Sequence, residues 1–145
     1  MNQPTAIQAY SNLKNIGNIT TPYGGKTAYE PFHPGVDVAN KRGTPVPFFA
    51  DGVVTEVVKR KKNGDNGFGN SVVVSDNQGN KHRYSHLHNA FVQPGQKVKK
   101  GQVSMQMGDS GSSYSPTGGD SSHLDYRIVS AYGKYKNPLT YLKNI

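Results

Sequence analysis

The 145-residue sequence contains no cysteine and no tryptophan. Without cysteine the chain forms no disulfide and offers no thiolate to a metal, so a metal site here needs histidine and carboxylate ligands. No apolar run approaches the roughly 20 residues of a membrane-spanning helix, which predicts no membrane insertion. The N-terminal stretch also lacks the basic start and apolar segment of a secretory signal.

Acidic residues are scarce as well, with 9 Asp+Glu against 17 Lys+Arg and a formal charge of +8. Such a balance favours polyanionic surroundings, for example nucleic acid, anionic cell-wall polymers or phospholipid. The basic runs Lys59–Lys62 and Lys97–Lys100 stand beside the turn signals Asn63-Gly64 and Pro94-Gly95. We interpret them as solvated hairpin tips, and because no aromatic cluster accompanies them, the pattern argues against nucleic acid as the partner.

Glycine and proline, by contrast, are abundant, with 17 and 9 residues. They separate short β-like runs, and no amphipathic stretch of helical length stands out. The predicted strands are Gly52–Arg60, Asn70–Asp76, Lys81–Leu87, Gln102–Gly108 and His123–Val129. The sequence therefore predicts an all-β fold, an antiparallel two-sheet β-sandwich or barrel-sandwich hybrid with a groove and few short helices.

The predicted strand HLDYRIV carries an unusual pair of polar residues. Its alternation turns Leu124, Tyr126 and Ile128 towards a core, which places His123 and Asp125 together on the opposite face. An imidazole and a carboxylate side by side on one face indicate a functional surface.

Two further segments bring histidines near carboxylates or other histidines. In FHPGVDVA, the Pro-Gly pair between His33 and Asp37 forces a turn, which can bring both side chains onto one ion; a turn-capping aspartate is the alternative. In HRYSHLH, a regular strand would place four side chains on one face, lining either a groove or a solvent surface. These four are His82, Tyr84, His86 and His88.

The order and flanks of these motifs carry more information than any one of them. From about Ile19 to Leu142 the chain resembles the lysostaphin-like zinc endopeptidases that cleave peptidoglycan cross-links. It contains an H-x-G-x-D turn, a G-N-x-V strand, Y-x-H-L, V-x-x-G-x-x-V-x-x-G-Q and a G-x-S-G loop in that order. The family's late H-x-H motif is replaced by His123-Leu124-Asp125.

The resemblance implies one Zn²⁺ ion, with His33 and Asp37 as ligands and Asp125 in place of the third ligand histidine. It implies that His86 and His123 are the non-ligand histidines beside the scissile bond. Residues 1–18 are then an N-terminal tail or short helix, and residues 19–145 form the metallopeptidase domain.

We expect the groove walls to come from two loops, Lys59–Gly69 and Asp109–Ser122. Phe68, Tyr114 and Tyr84 are the candidate substrate contacts, with core packing as the alternative for Tyr84.

Asp125 leaves two functional outcomes open. A second carboxylate ligand lowers the formal charge of the site, so a metal there would polarise a carbonyl and activate water less strongly. One outcome is a working enzyme, and the other is a weakened module that binds peptidoglycan or activates another enzyme. Replacement of the missing ligand by His82 or His88 is disfavoured, since the chain should leave the strand after Y-x-H-L.

A carrier domain is a competing class. GVVTEV followed by VQPGQKVKKGQ also resembles the half-barrels of biotinyl and lipoyl domains, but these require a lysine where this chain has Gln106. As a wall hydrolase, the protein would act on bacterial peptidoglycan. With no export signal in view, we expect a phage virion or lysis component, with other phage tail proteins as partners, or a domain of a larger parent chain.

Overall fold

The computed structural model describes residues 13, 15–27, 30–59, 67–110 and 121–142. Within this part, the chain forms strands joined by turns and one short helix. The strands are β1 (Asn18–Thr21), β2 (Val36–Ala39), β3 (Pro45–Pro47), β4 (Gly52–Val58), β5 (Asn70–Ser75), β6 (Lys81–Ala90), β7 (Lys97–Val98), β8 (Val103–Met107), β9 (His123–Val129) and β10 (Tyr135–Lys136). The helix is α1 (Pro138–Leu142).

All strand pairs are antiparallel. The main ladder has the order β1-β2-β9-β6-β5-β4-β7, β10 pairs with β9, and β3 and β8 form a second, small ladder. The long strand β6 joins the two ladders, because Lys81–Ser85 pairs with β9 and Leu87–Ala90 pairs with β8. The all-β antiparallel prediction is confirmed, and four of the five predicted strands end within two residues of their expected bounds. The fifth, β6, continues to Ala90 instead of ending at Leu87, so the prediction that the chain leaves the strand after Y-x-H-L is wrong.

The hydrophobic core is formed by the apolar side chains on the inward-facing side of these strands. Leu124, Tyr126 and Ile128 are fully buried, as the alternation of HLDYRIV predicts. Leu13 and Ile16 belong to the same buried cluster, so the end of the predicted N-terminal segment packs against the domain. Most of that segment, residues 1–12 and 14, lies outside the described residues.

A buried polar network fixes the β5–β6 turn to the C-terminal helix. His82 donates from Nε2 to Asp76 Oδ2 (2.9 Å) and accepts at Nδ1 from the Tyr126 hydroxyl (2.7 Å). Tyr141, on α1, also donates to Asp76. The tautomer of His82 follows because a carboxylate only accepts. His82 is therefore a structural residue, and the interpretation that it shares an exposed face with His86 is wrong.

Asp76 is the acceptor on which this network converges. Burial raises the pKa of Asp76, but hydrogen bonds from His82, Tyr141 and the backbone N–H groups of Gln78 and Asn80 outweigh it and lower the pKa to about 2.

In the described part of the chain, no helix has the length and apolar character needed to cross a bilayer.

Candidate metal centre

The strand register brings two carboxylates face to face. On neighbouring strands, Asp37 of β2 lies directly opposite Asp125 of β9, and Ser85 of β6 lies opposite Asp125 on the other side. Like charges at directly opposed positions destabilise a sheet. The arrangement therefore needs a positive charge nearby.

His33 completes a cluster of three metal-competent side chains. One ligand atom from each of His33, Asp37 and Asp125 lies within 4.8 Å of the others. His33 Nε2 is 2.9 Å from Asp37 Oδ1, and both atoms are buried without a hydrogen-bond partner among the described residues. Buried polar atoms of native proteins are normally paired. A buried imidazole nitrogen and a buried carboxylate oxygen this close together, with an oxygen of Asp125 within 4.8 Å, fit a shared divalent cation, so the residues present suit zinc.

Gly35 explains how the His33–Asp37 turn reaches β9. A Cβ on Gly35 would lie 2.6 Å from the Tyr126 carbonyl oxygen and 2.6 Å from Arg127 Cγ. Real Cβ contacts are not this short, so any larger residue would push the turn away from β9. The glycine of the predicted H-x-G-x-D motif is thus required by close packing.

Glu30 orients the His33 ring. Its Oε1 lies 3.4 Å from His33 Nδ1, so when Nε2 binds a metal the proton on Nδ1 would face this carboxylate. Without a metal, Nε2 faces the Asp37 carboxylate at 2.9 Å and can carry a proton itself. Burial lowers the pKa of His33, but the carboxylates of Asp37 and Asp125 raise it, and the net shift is upward. A proton and a metal ion would therefore compete for the same nitrogen.

Asp125 has a partner that the sequence analysis missed. Arg127 donates from Nε to Oδ1 (2.9 Å) and from Nη2 to Oδ2 (2.8 Å), which is a two-pronged ion pair. The same guanidinium reaches Glu30 Oε1 (2.8 Å) and lies 4.8 Å from the centre of the Phe68 ring. The available signal was spacing: Arg127 stands two residues after Asp125, on the same strand face.

A β-bulge places His86 beside this cluster. Between Tyr84 and Leu87, β6 advances three residues while the facing strand β5 advances two. His86 takes the left-handed conformation, with φ 62°, and its N–H donates to the Phe68 carbonyl at 2.8 Å. Bulges re-aim side chains in this way. Without the bulge, His86 would share the buried face of Tyr84.

His86 and His123 form a pair of imidazoles at the edge of the cluster. Their ring centres are 4.6 Å apart, and His86 Nε2 lies 3.9 Å from Asp125 Oδ2. Each Nδ1 bonds to a backbone carbonyl, that of Ser110 (2.7 Å) for His86 and that of Ser121 (2.8 Å) for His123. Since carbonyls only accept, each neutral ring carries its proton on Nδ1 and presents a basic Nε2.

Burial lowers the pKa of His86, and the neighbouring His123 lowers it further. His86 is therefore held in its neutral, proton-accepting form.

The remaining predicted substrate contacts are placed differently. Tyr84 is fully buried, accepts a hydrogen bond from the Phe49 N–H (3.0 Å) and stacks on Tyr126, so it has no surface for a substrate. Its role is core packing, the alternative given above. Phe68 lies over Arg83 and Arg127 next to the centre. Tyr114 and most of both predicted wall loops lie outside the described residues.

Two aromatic residues that the sequence analysis did not select stand beside His33. The rings of Tyr23 and Phe32 meet edge to face with centres 5.2 Å apart, and Phe32 is 51% exposed. Backbone hydrogen bonds join Gly24 and Gly25 to His33 (both 2.7 Å) and fix this segment. We call this aromatic pair, which adjoins His33 along the chain, the apolar wall.

A polar hollow lies at the other end of the site, where Ala39 of β2 pairs with His123. It is lined by amide, hydroxyl and ammonium groups that suit a peptide backbone. The lining residues are Asn15, Gly17, Asn18, Ala39, Asn40, Lys41 and Ser122.

Comparison with known proteins gives a consistent family. A profile of Peptidase family M23 matches residues 31–138. The DD-carboxypeptidase/endopeptidase Mpg of Neisseria meningitidis is 36% identical over 108 residues, covering 74% of this chain and 22% of that protein. The murein hydrolase activator NlpD of Escherichia coli is 31% identical over 126 residues, covering 87% of this chain and 29% of that protein.

The solved structure of the antimicrobial peptidase lysostaphin from Staphylococcus simulans superposes with a TM-score of 0.73 at 26% identity. The match covers 93% of this chain and 51% of that chain. The chain spans less than a third of the length of the curated relatives Mpg and NlpD. The carrier-domain alternative is set aside by this match. The chain belongs to peptidase family M23, and it has the lysostaphin-like all-β fold that its motifs predict.

Proposed function

We propose that this protein is a zinc-dependent endopeptidase that hydrolyses peptide bonds in the stem or cross-bridge peptides of bacterial peptidoglycan. The observation that carries the proposal is the convergence of His33, Asp37 and Asp125, whose ligand atoms lie within 4.8 Å of one another. His86 and His123 stand next to this cluster with their Nε2 atoms available.

The choice of peptidoglycan is supported by relatives and by charge. Mpg is described as a carboxypeptidase and endopeptidase, and NlpD as an activator of murein hydrolases. The net charge of +8 suits a substrate surrounded by wall polyanions.

His33, Asp37 and Asp125 would hold one Zn²⁺ ion through one nitrogen and two carboxylate oxygens, which are competent zinc ligands. When bound, the ion supplies a Lewis acid that polarises the scissile carbonyl and makes a water molecule more acidic.

The chain's own imidazoles then move protons. His86 Nε2 accepts the proton of the attacking water, because burial keeps this ring neutral. The same Nε2, now protonated, passes this proton to the leaving amine. His123, on the side of the polar hollow, would donate a hydrogen bond from Nε2 to the developing negative charge when its ring is protonated. The backbone tethers of both Nδ1 atoms hold the rings in these orientations.

The polar hollow adjoins the Ala39–His123 pair, and the Tyr23–Phe32 wall adjoins His33. The hollow offers amide groups to the peptide backbone of the substrate, and the wall offers apolar contact to its side chains. The route by which the protein reaches the wall, as a phage component or within a larger chain, stays a prediction.

A non-catalytic peptidoglycan-binding or activator module is the second candidate function. It is favoured by the ion pair in which Arg127 occupies both oxygens of Asp125, and by similarity to an activator, NlpD.

One experiment separates the two functions. The purified chain is analysed for bound metal and incubated with purified peptidoglycan, and newly released amino groups are counted. If the protein is a hydrolase, amino groups are released, a chelator abolishes this release and Zn²⁺ restores it. The Asp37→Ala variant should release none. Metal-free, inactive protein whose Asp125→His variant gains both metal and activity would instead reject native catalysis and support the non-catalytic module.

A further inference from the structure

The metal-competent cluster contains more negative charge than a lysostaphin-like ligand set with two histidines. Asp37 and Asp125 lie directly opposite each other on β2 and β9, and Asp125 is only 3% exposed. Two carboxylates at directly opposed positions, one of them buried, need a compensating cation when no metal is bound.

Arg127 supplies that cation from within the chain. Its fork binds both oxygens of Asp125 at 2.9 and 2.8 Å, and the side chain is only 8% exposed. Glu30 (2.8 Å) and the face of the Phe68 ring (4.8 Å) hold the guanidinium from the other sides. The planar fork matches a carboxylate, so the pair is geometrically specific.

We infer that Arg127 is the charge partner that makes Asp125 act as a neutral third ligand, and that it thereby sets how tightly the centre holds its metal. The inference rests on the ligand set of the proposed function. The Asp125–Arg127 pair has zero net charge, as a neutral imidazole has. The three ligands with Arg127 then carry one negative charge instead of two.

Whether metal binding becomes tighter or weaker depends on the charge of the group that is hydrogen-bonded to the ligand. A carboxylate behind a ligand histidine, such as Glu30 behind His33, strengthens the ligand as a donor. A guanidinium behind a ligand carboxylate withdraws electron density and repels the divalent ion. Arg127 therefore stabilises the metal-free protein and weakens metal binding.

Glu30 contacts both the ligand His33 and Arg127, the partner of the ligand Asp125. The oxygen that accepts from Arg127 at 2.8 Å also lies 3.4 Å from His33 Nδ1. Arg127 is thus a positioning residue tied to two of the three ligands.

The test measures binding of Zn²⁺ alone, by competition with a chromophoric chelator, and the thermal unfolding midpoint with and without Zn²⁺. Arg127→Gln should tighten Zn²⁺ binding on the order of tenfold or more, by removing a positive charge a few ångströms from the ion. It should also lower the unfolding midpoint of the metal-free protein and increase the upward shift that Zn²⁺ causes. Arg127→Met is a second neutral variant, and Arg127→Lys, which keeps the charge, should bind Zn²⁺ like the wild type.

Arg83→Gln is the matched control. Arg83 lies opposite Arg127 on β6 and over the same Phe68 ring (5.0 Å), and it donates to Ser71 (3.3 Å). Its replacement removes the same charge from the same sheet and should leave Zn²⁺ affinity unchanged.

The outcomes distinguish this inference from the proposed function. Zn²⁺ binding that is equal or weaker in both neutral variants overturns the role of Arg127 and leaves the hydrolase proposal standing. Zn²⁺ binding by the neutral variants alone supports the role of Arg127 and overturns catalysis by the native chain. If neither the native chain nor any Arg127 variant binds Zn²⁺, both are overturned.

Discussion

The rings of His86 and His123 lie 4.6 Å apart, with each Nδ1 donating to a backbone carbonyl. The tethers fix which nitrogen of each ring is basic, and the bulge in β6 fixes which way His86 points. Two imidazoles in fixed orientation beside a metal-competent cluster suit proton transfer at one bond.

The first prediction concerns these two rings. His86→Gln and His123→Gln should each lower kcat/KM for peptidoglycan peptides by roughly 10²–10⁴, the usual contribution of a positioned proton-transfer group. Zn²⁺ content should not change, because neither ring is in the proposed ligand set. His88→Gln, a change at an exposed histidine two residues away, is the control and should retain activity. Loss of bound zinc in His86→Gln would make this residue a ligand.

The alternation of side chains along a β-strand predicted much of the site, but it failed at the bulge in β6. On β9 the alternation is unbroken, so the core face of Leu124, Tyr126 and Ile128 and the opposite position of Asp125 follow directly from the sequence. On β6 the extra residue at the bulge reverses the alternation, so His82 and Tyr84 are buried while His86 faces the cluster. Nothing in HRYSHLH marks the bulge.

Arg127 was missed for a different reason. The family resemblance identified Asp125 as a ligand candidate, but its ion pair depends on the depth at which both side chains are buried and on Glu30, 97 residues away in the chain. Long-range charge compensation of this kind needs the assembled sheet. The family resemblance predicted the three ligands. It did not predict Arg127, the partner of Asp125, which is the ligand at which this chain departs from the family.

The second prediction concerns Gly35. Gly35→Ala should destabilise the fold by about 1–3 kcal/mol, because its Cβ would lie 2.6 Å from the backbone oxygen of Tyr126 and 3.2 Å from Asp125 Oδ1. It should also weaken Zn²⁺ binding, since the turn that carries His33 and Asp37 must move. Denaturant unfolding and chelator competition measure the two effects.

Gly95→Ala provides the comparison for Gly35→Ala. A Cβ there meets nothing within 4 Å, but φ is +90°, so it costs about 1–2 kcal/mol through the backbone alone. Zn²⁺ affinity should not change in this variant. Unchanged zinc affinity in Gly35→Ala as well would contradict the packing argument.

The third prediction is a pH dependence of stability that originates at Asp76. Its pKa is lowered from 3.8 to about 2 in the folded protein, so the unfolded chain takes up the proton first as the pH falls. The stabilisation is fully present above pH 3.8 and is lost as the pH falls towards 2, by roughly 2 kcal/mol. The measurement is the difference in free energy of unfolding between wild type and Asp76→Asn from pH 6 to pH 2. A difference that stays constant over this range would remove Asp76 as the source.

The last prediction concerns the apolar wall beside His33. Phe32 is 51% exposed and contacts Tyr23 edge to face, so its truncation removes exposed surface beside His33 and little from the core. Phe32→Ala should raise KM for peptidoglycan peptides several-fold with kcat nearly unchanged, the pattern of lost uniform binding. Phe91→Ala is the control, because Phe91 is 63% exposed and follows the end of β6. An equal rise in KM for both variants would mean that general surface hydrophobicity, rather than the wall, binds the substrate, whereas a fall in kcat in Phe32→Ala alone would mean that the wall positions His33.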